Sequence, residues 1–325
     1  MNKKISDLPH DRSDFFETEQ YKIAVIDFFL GELQRDGQDV TSLLFVDSAV
    51  DGSAKIMAKQ NGVLAGQSDI DFFIKTKENF LDIKINWKKK DGESVETGDI
   101  ICEFFGNSID ILNFERVSLN VLSRLSGIAT ATKNILEKSN TPIASTRKTQ
   151  WSYLDKKAVF VGGGNTHRIG LFDAVLIKEN HLISGKKIDV LQKLLHIQSY
   201  APSEVLKNIK FIEVEVENIE EFYEVFEVFI QCSEKYKTSL KYKYVIMLDN
   251  FSPEQIDYLL SDLKNKNLNK KERNLKNIFI EISGGITSEN IKNYSDLGAD
   301  IISLGSLTHS VMPIDFSLRF SHRLQ

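Results

Sequence analysis

The 325-residue chain is poor in cysteine and proline and has no surplus of positive charge. Cys102 and Cys232 are its only cysteines. Two thiols cannot build a disulfide framework or a cysteine-rich metal centre, and they fit a reducing compartment, so a cytoplasmic location is expected. Five prolines and 18 glycines leave little material for long disordered linkers. The formal net charge is -5, which argues against nucleic acid as a partner, because a phosphate backbone demands clustered excess Lys and Arg. No apolar run approaches the length of a membrane helix, and the opening MNKKISDLPHDRSDFF has no apolar h-region. A membrane partner and a signal peptide are therefore not expected. What remains is an ordinary soluble composition, with length for one large or two ordinary domains.

The texture of the chain changes part-way along. Residues 20–48 combine a helical pattern with the polar segment QRDGQDVTS. Strand-like runs follow at Ala54–Lys59, Ile83–Trp87 and Ile100–Phe105, the last two flanking the turn signals of KKKDGESVETGD. This part reads as a small antiparallel sheet carrying helices. Residues 109–138 read as a long helix, interrupted by Gly127, where another backbone can come close. From residue 143 short apolar runs (PIAS, AVFV, AVLI, FIEVEV, YVIML, IFIEI, DIISL) alternate with helical patterns such as Val190–Tyr200, Ile219–Phe229 and Pro253–Leu263. Alternating strand and helix implies parallel strands with crossovers. Most runs end in polar or glycine residues, as at the active face of an α/β barrel. The segment is short for eight units, so six or seven strands are expected. Ser233–Lys243 and the basic Lys264–Lys276 read as surface insertions.

The strand ends carry the chemistry. Arg147, Lys148, His167, Arg168 and Lys178 follow successive runs and would gather on one rim. Cations so placed repel one another unless an anion compensates, such as a dicarboxylate or a phosphate plus a carboxylate. Glu213, Glu215 and Asp249 lie on later strands, the two glutamates on one face by period-2 alternation. They either pair with the basic rim or hold a divalent metal together with substrate phosphates. Ser283-Gly284-Gly285 and Leu304-Gly305-Ser306 follow the last two runs, where glycine turns cradle phosphate with backbone N–H groups; His309 lies just beyond.

The motifs ERVSLNVLSRLSGIAT (115–130), STRKT (145–149), GGGNTHRIGLFDAVLIKENH (162–181), EVEVEN (213–218), LDN (248–250), SGGI (283–286) and SLGSLTHS (303–310) occur in the same order as in the quinolinate phosphoribosyltransferase family. The chain resembles this family, also called nicotinate-nucleotide pyrophosphorylase (carboxylating), over most of its length. The resemblance implies an α/β fold of type II phosphoribosyltransferase architecture. Its N-terminal open α/β sandwich would span 1–127, with the tail 308–325 returning to it. A short α/β barrel of about seven strands would span 128–307. It also implies phosphoribosyl transfer from 5-phosphoribosyl 1-pyrophosphate to quinolinate, with decarboxylation, in NAD biosynthesis. Lys148, Lys178, Glu215 and Asp249 would be catalytic. Quinolinate would be bound by Arg147, Lys148, His167, Arg168 and Lys178, with Arg116 donated by the partner of a homodimer or higher oligomer. The phosphoribosyl donor would meet Glu215, Asp249, Ser283, Gly284, Gly285, Gly305 and His309, with Mg2+ near Glu215 and Asp249. A paralogue acting on another acidic heterocycle and a non-catalytic phosphate-binding protein of the same fold are the alternatives.

The sequence also departs from the family. After TRKT the usual Pro-Gly-Leu-Arg is replaced by QWSYLDKK (150–157), a segment about two residues shorter. Thr166 stands where an asparagine is usual before the histidine, and Glu179 replaces a common aspartate. These changes fall on the acid-binding side, so a reshaped acceptor pocket is the expectation to test.

Overall fold

The computed structural model describes residues 8–47, 50–77, 80–235, 242–265 and 277–321. Most of the two expected insertions, at 236–241 and 266–276, lies outside the described residues. Among the described residues twelve strands occur: β1 (Asp51–Ala58), β2 (Gly62–Val63), β3 (Ile83–Trp87), β4 (Ser94–Val95), β5 (Ile100–Asn107), β6 (Ile143–Ala144), β7 (Val175–Ile177), β8 (Phe211–Val216), β9 (Lys243–Asp249), β10 (Ile278–Ser283), β11 (Ile301–Ser303) and β12 (Phe316–Ser321). They fall into two compact units. One takes in Ser13–Asn134, Thr149–Gly164 and the chain from Leu307 onward; the other takes in the leading segment up to Arg12, Ile135–Lys148 and Asn165–Ser306.

The first unit is built on a four-stranded antiparallel sheet in the order β12-β1-β5-β3. Alternation on β1 puts Ala54, Ile56 and Ala58 inside, while Lys55 faces out and pairs with Glu103. Helices Glu19–Asp36, Gln67–Thr76 and Ser108–Leu136 bring aromatic rings to its core. Phe29 stacks on Phe73 at 4.7 Å and Phe73 on Phe114 at 5.9 Å, with all three rings fully buried. Their burial supplies several kilocalories per mole at about 1.5–3 kcal/mol per large apolar side chain. The run AVFV, read from sequence as a strand, is the end of the helix Tyr153–Val161. Leu154, Ala158 and Val159 are buried there at helical spacing, so the polar residues ahead of the run decide its period.

The second unit carries a six-stranded parallel sheet in the order β6-β11-β10-β9-β8-β7. Ala144 in β6 also makes a single parallel bridge to Asn165, so a seventh strand position is present but only one residue long. This is the barrel-like parallel architecture expected from the alternating runs. Successive inner positions are Phe211, Glu213 and Glu215 on β8, Val245, Met247 and Asp249 on β9, and Phe279, Glu281 and Ser283 on β10. The sequence alternates apolar to polar towards the carboxyl ends, so the interior grades from a dry floor to a charged rim. The floor comprises Ala144, Ala174, Phe211, Val245, Phe279, Ile301 and, from the leading segment, Leu8. Among the described residues no helix is long and apolar enough to cross a membrane.

Gly127 sits inside the helix Ser108–Leu136, and a Cβ there would lie 2.4 Å from the Met312 carbonyl oxygen. Backbone cannot retreat as a side-chain tip can. Gly127→Ala is therefore expected to cost about 1–3 kcal/mol despite better helix propensity, read as a lower denaturant midpoint at unchanged m-value.

Candidate active site

β7 ends at Ile177, so Lys178 leaves the strand at its carboxyl end and opens the helix Glu179–Gly185. The parallel register pairs Ile177 with Val214. Lys178 thus emerges level with Glu215, and its ammonium forms an ion pair with the Glu215 carboxylate. Glu215 is nearly buried and Lys178 is half exposed. His181 Nδ1 accepts the Lys178 N–H at 3.0 Å and fixes the turn.

One strand along, β9 ends in Asp249, which accepts a 2.8 Å hydrogen bond from the Asn250 side chain. Asn250 has a φ of 57° and its N–H bonds the Ser283 carbonyl at 2.9 Å. Glu179, then slight burial, Glu221, Asp249 and Glu215 together push the Glu217 carboxyl up. Glu215 and Asp249 therefore share an acidic patch with Glu217 and Glu179. At the end of β10, Gly284 and Gly285 have φ of 90° and 61°. A Cβ on Gly284 would meet Asn250 Oδ1 at 2.3 Å, whereas nothing lies within 4 Å of one on Gly285. The turn therefore needs glycine first for packing and then for a left-handed backbone beside open space. Asn290 donates to the Gly285 carbonyl at 3.0 Å and holds it. Gly305 follows β11, whose extension is fixed by Leu304 N–H to the Ala144 carbonyl at 2.9 Å.

The other flank is the turn after Asn165. Arg147 and Lys148, exposed after β6, lie on the same side as Arg168. Burial and then the neighbouring Arg147 depress the Arg168 guanidinium, while Glu213, Asp173 and Glu215 oppose that shift. His167 is buried, as Arg168 is, and has a φ of 55°. Its Nε2 lies 3.4 Å from carboxylate oxygens of both Glu213 and Glu281. Burial works against a charged ring, but these two carboxylates outweigh it and hold the His167 pKa up at about 9. The Arg168 N–H points at Nδ1 from 2.7 Å, a contact that only the neutral ring, with its proton on Nε2 facing the acids, can accept and that the charged ring gives up. Burial and the adjacent Glu281 push Glu213 up to about 7; Glu281, closest to both histidines, is held down against its own burial. His10 Nε2 lies 2.7 Å from Glu281. Neither His10 nor Glu281 was singled out from sequence. The signal available was a lone glutamate in the apolar run IFIEI.

The remaining expected site residues lie in the first unit. His309 is exposed, and its Nδ1 is 2.6 Å from Ser310 Oγ. Arg116 is exposed on a cavity of about 510 Å3 that Asp36, Asp39 and Asp110 also line. The segment after TRKT is organised by Asp155, which is fully buried. Asp155 accepts from Arg124 Nε at 2.9 Å and from a terminal nitrogen at 2.8 Å, from Thr149 Oγ1, and from the N–H groups of Gln150 and Trp151, each at 3.2 Å. Arg124 also lies over the Trp151 ring at 5.2 Å. One carboxylate thus stiffens this turn.

The description "Quinolinate phosphoribosyl transferase, N-terminal domain" matches residues 39–126, and "Quinolinate phosphoribosyl transferase, C-terminal domain" matches 128–319. The chain belongs to the quinolinate phosphoribosyl transferase family. A relative from Methanocaldococcus jannaschii is 39% identical over 288 residues, covering 86% of this chain and 90% of its own length. The chloroplastic nicotinate-nucleotide pyrophosphorylase (carboxylating) of Arabidopsis thaliana is 34% identical over 307 residues, covering 93% of this chain and 83% of its own. Among solved structures, the nicotinate-nucleotide pyrophosphorylase from Francisella tularensis superimposes with a TM-score of 0.74 at 31% identity, covering 92% of this chain and 97% of that one.

The buried cluster makes stability depend on pH. The His167 value is raised, so its stabilisation is complete below the ordinary 6.5 and lost as pH climbs through about 9. Glu213, also raised, acts in the same direction and is lost through about 7. Glu281 is depressed and contributes above the ordinary 4.5. The melting temperature is expected to fall between pH 6.5 and 9, and His167→Gln is expected to flatten that fall.

Proposed function

We propose that this protein transfers the phosphoribosyl group of 5-phosphoribosyl 1-pyrophosphate to quinolinate and releases carbon dioxide, giving nicotinate mononucleotide in NAD biosynthesis. The observation that carries the reading is the Lys178–Glu215 pair at the carboxyl ends of β7 and β8. On this reading the ammonium serves the acid and the carboxylate beside it serves the sugar. Arg147, Lys148 and Arg168 add positive charge for the two carboxylates of quinolinate, with guanidinium forks suited to bidentate contact. His167 supports that rim from within, its ring held by Glu213 and Glu281.

Glu215 and Asp249 would take the ribose hydroxyls of the donor. The glycine turn at Ser283, Gly284 and Gly285, together with Gly305, would offer backbone N–H groups to the 5-phosphate. The all-oxygen donor set of Glu215 and Asp249 fits magnesium, which when bound neutralises pyrophosphate charge. The pyridine nitrogen attacks C1 of the ribose as the bond to the pyrophosphate oxygen breaks. The positive charge on the pyridinium nitrogen then stabilises the electron pair left on the adjacent ring carbon when its carboxylate departs as carbon dioxide, and that carbon uses the pair to take up a proton. Nothing here needs a nucleophilic side chain; positioning and fixed charge suffice.

The active form is proposed to be a dimer whose barrel sites receive Arg116 from the partner. Supporting this, Arg116 is exposed on its cavity, and Leu43, Leu44 and Phe45 on the helix Val40–Phe45 are 61%, 71% and 82% exposed. Such an apolar patch marks an interaction surface.

Incubation with magnesium, the phosphoribosyl donor and quinolinate is expected to yield pyrophosphate and carbon dioxide in equal amounts. Pyrophosphate release only with another acid would redirect the reading to that acceptor and implicate the rebuilt turn at 150–157. Lys178→Ala is expected to lower turnover about 100-fold or more at unchanged fold. Arg116→Ala is expected to inactivate without dissociating the dimer. Mixing it with Lys178→Ala should restore part of the activity, and absence of rescue would count against a shared site.

A further inference from the structure

The leading segment is bound inside the barrel unit by four separate contacts. Leu8 is 2% exposed and belongs to the apolar floor with Ala144, Ala174 and Phe211. His10 is fully buried, with Nε2 2.7 Å from Glu281 and its ring edge-on to His167 at 5.0 Å between centroids. The carbonyl of His10 accepts from Thr166 Oγ1 at 3.0 Å, and the same hydroxyl accepts the Arg12 N–H at 3.1 Å. The Arg12 guanidinium pairs with Asp173, whose carboxylate also accepts the N–H groups of Ile169 at 2.9 Å and Gly170 at 3.0 Å.

These contacts converge on one object. Thr166 and Asp173 are the two ends of the turn that carries His167 and Arg168, and the segment grips both. The turn needs gripping: a non-glycine residue at a φ of 55° is strained and persists only where its surroundings over-determine it. Thr166 is the residue whose hydroxyl docks the segment at both His10 and Arg12.

We propose that residues 8–12 form a built-in clamp on the acid-binding turn, with His10 a positioning residue for His167 acting through Glu281. The proposal rests on the phosphoribosyltransferase reading for its kinetic consequence but not for its structural one. Glu281 would otherwise face His167 alone, and with Glu213 would leave two buried acids to one ring. His10 brings a second imidazole to within 2.7 Å of Glu281, so the acids face two rings and the His167 ring stays between them.

The full-length protein tests this with His10→Leu, His10→Gln and Thr166→Val, each compared with wild type by hydrogen exchange and steady-state kinetics. His10→Leu is expected to speed amide exchange at residues 166–170 at least tenfold while leaving β1 and β5 of the other unit unchanged. It is expected to raise the quinolinate KM about tenfold with the donor KM unmoved. His10→Gln, which keeps a side-chain N–H donor, should recover most of both effects, and Thr166→Val should reproduce the loss. Unchanged exchange at 166–170 in folded His10→Leu or Thr166→Val overturns the clamp whatever the activity. So does a rise in both KM values together, which would mean general loosening. If His10→Leu does not fold, the Thr166→Val exchange decides alone. If wild type shows no turnover with quinolinate, the functional reading fails while the exchange result still decides the clamp. Stoichiometric metal at His10 and His167 would also overturn it, since a metal would then hold the ring.

Discussion

The barrel unit depends on neutralising two carboxylates that its own strands bury. Glu213 on β8 and Glu281 on β10 are both fully buried and face the interior. An isolated buried carboxylate is costly enough that it takes up a proton or acquires a cation. Here two histidines provide the answer from opposite directions in the sequence. His167 arrives from the turn after Asn165 and pays for its place with a strained backbone, while His10 arrives from the leading segment. The strain at His167, the insertion of Leu8, the small residues Ala144 and Ala174 and the Thr166 hydroxyl all follow from fitting those two rings beside those two acids.

Above this layer the interior opens onto charge that remains usable. Glu215 is two residues beyond Glu213 on the same face of β8 but meets an ammonium at the surface rather than an imidazole in the core. The same period-2 alternation thus supplies a fully buried acid at one level and an ion-paired acid nearer solvent at the next. The cations are separated in a matching way. His167 is committed inward, whereas Arg147 and Lys148 are exposed and Arg168 is buried near enough to Arg147 to feel its charge.

Much of this was legible in the sequence. The helices, the antiparallel first sheet, the parallel run of strands and the rim residues at their carboxyl ends all follow from periodicity and turn chemistry. Gly127 was read as a point of close backbone approach, and the Met312 carbonyl occupies that place. What escaped were features whose partner is distant in the chain. Nothing beside His10 in the sequence marks it as buried, because its acid lies far along the chain in β10. Nothing beside Asp155 marks it as the buried anchor of the turn before it, which it holds together with Arg124. The run AVFV was misread because four apolar residues carry no period of their own. Burial of a charge is set by tertiary partners, and composition near the residue does not encode it.

The proton on His167 is the most direct probe of the account. Nitrogen-15 NMR of histidine-labelled protein, titrated from pH 6 to 8, reads the protonation of each ring nitrogen. The account predicts that His167 Nε2 carries a proton throughout that range, coupled to Glu213 and Glu281. A His167 ring that titrates at the ordinary value near 6.5, or whose Nε2 bears no proton, would contradict it.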